Sequence, residues 1–184
     1  MVGYIIITIA RGVNRLNLLG KDCDPDAFLE ATIKQKQIVG KNPKLTTYLE
    51  IDEAVAFMEK GNFLKAKDIL LAVDKKYLSV KNGTSFIYTI DLIACLYELG
   101  EFEEAEEMFE NEIQLSTPMN KMKTLSMEVL SAERLYFSGN YDESKNKRMK
   151  LSIVYRLAQI DETLQSSKLI DDKIKLINIK YSIE

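Results

Sequence analysis

An all-α fold, built as a right-handed solenoid of antiparallel helix hairpins, is predicted for this 184-residue chain. Three observations carry that expectation. Gly61, Gly100 and Gly139 are spaced by 39 residues, and the segments around them (57–63, 96–102 and 135–141) align without gaps. Before each glycine an apolar stripe recurs at helical spacing: Ile51, Ala54, Phe57, Met58; Ile90, Ile93, Leu96, Tyr97; Val129, Ala132, Leu135, Tyr136. After each glycine an aromatic follows by two residues (Phe63, Phe102, Tyr141), and in the first two copies a small alanine (Ala66, Ala105) comes three later. Each copy therefore reads as helix, glycine turn, helix. One such unit cannot bury its apolar face alone, so neighbours must stack to complete the core.

Taken in order, the run Met1 to Ala10 is apolar through Val2, Ile5, Ile6, Ile7 and Ile9, and Arg11 ends it. That is shorter than the roughly 20 residues a membrane span needs, and its charge follows the run instead of preceding it as in a signal peptide. It reads as a buried first helix, with a strand over 2–9 as the alternative. Asp24-Pro25-Asp26-Ala27-Phe28 has the form of a helix start, with Asp24 as N-cap and Pro25 at the first helical position. That helix is expected to reach about Val39, before Gly40 and Asn42-Pro43, and to complete a degenerate hairpin over 1–43. Repeats are expected at 44–82, 83–121 and 122–160, with capping helical structure over 161–184. Near that end Ile153 to Thr163 and Leu169 to Tyr181 read as two helices, polar outside as terminal repeats usually are. No linker or low-complexity tract divides the chain, so one continuous domain is expected.

Composition narrows the function classes. Hydrophobic residues at 46% and charged residues at 29% are those of a folded chain. A net charge of -3 gives no general attraction to nucleic acid. With no histidine, Ser-His-Asp and Cys-His catalysis and His-based zinc sites are ruled out. The two cysteines, Cys23 and Cys95, match no metal spacing and make no disulfide framework, which fits a reducing, cytoplasmic setting. Cys95 reads as a small core hydrophobe, and Cys23 lies between acids that disfavour its thiolate. No phosphate-binding glycine loop, calcium loop or nucleophile elbow is present. No catalytic residue, cofactor or metal is expected, nor a membrane or nucleic-acid partner.

The turn residues resemble those of tetratricopeptide repeats. The second unit matches best, with Leu92, Leu96, Tyr97, Leu99, Gly100, Phe102, Ala105 and Phe109 at family-like positions and Pro118 near the closing proline. The first keeps Phe57, Gly61, Phe63, Ala66 and Leu70, whereas the third has Ser144 for the alanine and Arg148 for the aromatic. The family repeat is about 34 residues, so each unit here carries roughly five more in its helices or connections. No tryptophan opens any repeat. The resemblance covers about 44–155 and specifies a fold, not an activity.

What the resemblance implies is a concave groove lined by the first helix of each unit, which receives a peptide or protein segment. Carried through the aligned glycines, the groove positions are Tyr48, Asp52, Val55 and Glu59; Ile87, Asp91, Ala94 and Glu98; and Ser126, Leu130, Glu133 and Phe137. This set holds five acids and no base, so a ligand bearing Lys or Arg is expected. The two-carboxylate clamp of chaperone-binding members is missing. The competing reading is that these acids only solvate an exposed helix face.

Two charge runs lie outside the groove. Seven glutamates between Glu101 and Glu112 read as the solvated face of an amphipathic helix whose inner face is Phe102, Ala105, Met108 and Phe109. From Lys145 to Lys180 nine bases face four acids, which suggests a homodimer pairing the acidic middle of one chain with the basic end of another. The functional expectation is an adaptor or scaffold. Its alternative is a peptide-sensing regulator like the bacterial helical-repeat receptors, although residues 1–43 lack the basic recognition helix many of them carry. The richness in Lys, Ile and Asn hints at an AT-rich bacterial genome.

Overall fold

A computed structural model describes residues 24–40, 42–111, 175–176 and 179–182. All regular structure among them is helical: α1 (Pro25–Val39), α2 (Pro43–Glu59), α3 (Phe63–Ala72), a short 3-10 turn (Lys75–Tyr77), α4 (Thr84–Glu98) and α5 (Phe102–Asn111). Consecutive helices pack against each other in chain order, and α2 also touches α4. The third repeat, the apolar run 1–10 and most of the expected capping structure lie outside the described residues. Those of the expected last helix that are described (175, 176 and 179–181) are helical.

The starts of α1, α2 and α3 each follow a polar capping residue. Asp24 Oδ1 accepts from the amides of Asp26 and Ala27 at 3.1 Å each, with Pro25 at the first position as expected. Asn42 Oδ1 accepts from Leu45 N and Asn62 Oδ1 from Lys65 N, both at 3.2 Å. Asp24 satisfies two of the amides that a helix N-terminus leaves without a partner, and Asn42 and Asn62 one each.

The two described glycine turns are built alike. At the first, Gly61 N donates to Met58 O and Asn62 N to Phe57 O (2.9 Å each). At the second, Gly100 N donates to Tyr97 O (3.1 Å) and Glu101 N to Leu96 O (2.9 Å), each partner 39 residues further on. Both glycines take a left-handed φ, 73° and 78°, which a side chain would strain. The next helix then opens through the same bond, Ala66 N to Asn62 O and Ala105 N to Glu101 O, both 3.1 Å. Ala66 and Ala105 are fully buried, as their small size at a close approach implies.

The apolar stripes meet in one core. Ile51, Ala54, Leu70, Phe86, Ile93, Leu96, Tyr97 and Met108 are buried there, with Phe57 and Met58 packed against it. A second, smaller cluster (Phe28, Leu49, Ala56) joins α1 to another side of α2. Cys95 is fully buried, in line with its reading as a small hydrophobe. Helix α2 runs for 17 residues, and the connection before α4 holds the 3-10 turn.

Candidate functional site

The groove positions of the first two units fall on α2 (Tyr48, Asp52, Val55, Glu59) and α4 (Ile87, Asp91, Ala94, Glu98), the two helices that touch across the unit boundary. None of the eight is exposed. Glu59 and Ala94 are buried outright, and the others are half-buried. Ser126, Leu130, Glu133 and Phe137 lie outside the described residues.

Asp91 is the most perturbed of the set. Its Oδ2 is shut off from solvent and has no hydrogen-bond partner. Burial, with the charge of Asp52 adding to it, pushes the carboxyl up to about 8. Near neutral pH this group therefore holds its proton, because ionising a second carboxylate beside the first in a water-poor place is costly. Among the described residues no cluster of three or more metal-ligating side chains is present. No described helix is long and apolar enough to cross a membrane.

Three further contacts around this face were not expected from the sequence. Asn82 Nδ2 donates to Tyr48 Oη at 2.5 Å, while Asn82 Oδ1 accepts from Thr84 N (3.1 Å) and Oγ1 (2.7 Å) at the start of α4. Asn82 thereby fixes a first-unit groove side chain to the second unit. The only local hint was the Asn-Gly-Thr sequence, a helix-start pattern. Lys67 Nζ on α3 donates to both oxygens of Glu101 (2.5 and 2.7 Å), tying the second helix of one unit to the turn of the next. Asp26 accepts from Lys60 Nζ (3.0 Å) and from Lys180 Nζ (2.6 Å), joining the start of α1, the end of α2 and a segment 154 residues away.

The acidic run is partly as expected. Glu103, Glu104, Glu107 and Glu110 are exposed, while Ala105 and Met108 are buried and Phe109 packs against the core. Two of its glutamates are engaged instead: Glu101 with Lys67, and Glu106 as acceptor from the Tyr97 hydroxyl. Phe102 departs from the inner face and stands 45% exposed, whereas its counterpart Phe63 packs on the core.

Comparison with known proteins found no family model, no curated protein and no solved structure that matches this chain.

Proposed function

We propose that the chain is an interaction scaffold, a right-handed tetratricopeptide-like solenoid that holds a basic protein segment along the face shared by α2 and α4. The observation that carries this reading is the Asp91 carboxyl. It is half-buried with its Oδ2 shut off from solvent and without a hydrogen-bond partner, it feels the charge of Asp52, and it belongs to α4, which touches the helix of Asp52. A Lys or Arg side chain brings a positive charge to these acids and a donor for the open Asp91 oxygen. The two matching turns support the repeat architecture, since they place Asp52 and Asp91 at equivalent positions, 39 residues apart.

Fluorescence anisotropy at low salt tests the proposal with a Lys/Arg-rich peptide, an acidic peptide of equal length and the double variant Asp52→Lys, Asp91→Lys. The basic peptide is expected to bind at least tenfold tighter than the acidic one and to lose that advantage on the double variant. Equal affinity for both peptides contradicts the proposal.

A further inference from the structure

Residues 179–182 carry a contact that neither the repeat nor the groove requires. Lys180 donates to Asp26 Oδ2 at 2.6 Å, and Lys60 reaches the other oxygen of the same carboxylate at 3.0 Å. Lys60 Nζ also lies between two rings, 5.8 Å from the centroid of Phe57 and 5.9 Å from that of Tyr181. The Tyr181 hydroxyl is buried. These lysines hold Asp26 well below the ordinary carboxylate range, Lys180 contributing most. The attachment is nevertheless slight. Leu176 and Ile179 expose about two thirds of their surface (66% and 67%), so the segment buries little apolar area beyond one ring. Lys180 and Asp26 remain about half exposed, at 52% and 47% of their side chains. Ion pairs that wet are weak and are screened by salt. Lys60 caps the end of α2, one residue past Glu59, the last of the predicted groove positions of the first unit.

We propose that the Lys180–Tyr181 segment is a detachable strap, clasped on Asp26 and Lys60, that narrows the Glu59 end of the groove until it is released. The strap stands on its own contacts; its effect on ligand entry rests on the groove reading above. A strap held this weakly is populated both closed and open, and a ligand that prefers the open form shifts that balance.

The chain contains no tryptophan, so Tyr181→Trp in the full-length protein gives a single reporter at the clasp. Acrylamide quenching of that residue is measured with and without Asp26→Asn, alongside the affinity of both proteins for the Lys/Arg-rich peptide. The quenching constant is expected to rise at least twofold in Asp26→Asn, and peptide affinity at least threefold. Loss of one acid would by itself weaken a basic ligand, so the rise is diagnostic of release. Lys180→Gln, which leaves α1 untouched, is expected to give the same two changes if Asp26→Asn lowers helicity by circular dichroism. Unchanged quenching in both variants overturns the strap. Increased quenching with unaltered affinity overturns the gate and leaves the groove standing. A peptide that binds none of the proteins removes the groove reading, and the gate with it, while the quenching still decides the clasp.

Discussion

The first helices of the two described units, α2 and α4, occupy equivalent places in the repeat yet live in different surroundings. Helix α4 is apolar nearly all round and buries eleven of its residues, from Thr84 to Tyr97. Helix α2 buries six and divides them between α1 on one side and α3 with α4 on the other. The same motif thus yields a central pillar in one copy and a helix shared between two separate clusters in the other, because α4 is packed against α2, α3 and α5. Stability should concentrate in the second unit and adaptability in the first.

The largest expected effect breaks that asymmetry at its stronger end. Leu96→Ala removes a side chain that is 1% exposed and should cost about 2–5 kcal/mol in chemical denaturation. Its counterpart 39 residues earlier, Phe57, is only half-buried, so Phe57→Ala should cost less despite its larger ring, about 1–2 kcal/mol. A reversed order would show that α2 and not α4 is the pillar.

Next comes Asp91, where the account turns on pH. Its folded-state pKa is raised from 3.8 to about 8, so the folded form holds a proton that the unfolded chain gives up. The destabilisation is absent below the unfolded value, grows as pH rises between the two, and is complete above about 8. Stability should therefore fall by a few kcal/mol between pH 5 and 9, on the order of magnitude such a shift implies. Asp91→Asn should remove most of that slope, as thermal melts across this range will show.

The turns offer a sharper test of equivalence. Ala in place of Gly61 or of Gly100 meets the same left-handed backbone, and a Cβ at Gly100 touches nothing within 4 Å. Conformational strain alone should cost about 1–2 kcal/mol, and by similar amounts at both sites. Clearly unequal losses would mean that the two turns are alike only in their hydrogen bonds. The smallest effect is expected at Lys67→Ala, which removes the tie to Glu101 across the unit boundary. A loss of up to about 1 kcal/mol, shrinking in added salt, fits a partly exposed pair.

Much of the fold was legible because its signals are contiguous. Asp24-Pro25 and Gly40 bound α1 as read, and the spacing of Gly61 and Gly100 locates two turns with one bonding pattern. Helical spacing of apolar residues also gave the core stripe. What the sequence hid depends on what lies against a residue. Phe63 and Phe102 are equivalent in the motif but one packs and the other is exposed. Glu59 read as a groove-lining acid and is 4% exposed. The Asp26–Lys180 pair joins residues with no local relation, and the Asp52 charge that adds to the shift of Asp91 comes from 39 residues earlier in the chain.

The central claim is that Asp91 and Asp52 receive a basic group from a bound segment. Titration calorimetry at pH 7, with a Lys/Arg-rich peptide in two buffers of different ionisation enthalpy, tests it most directly. The account predicts binding with release of about one proton per peptide, since the carboxyl of Asp91 must ionise to meet the cation, and no such release with Asp91→Asn. Absence of binding, or the same proton count in both proteins, would contradict it.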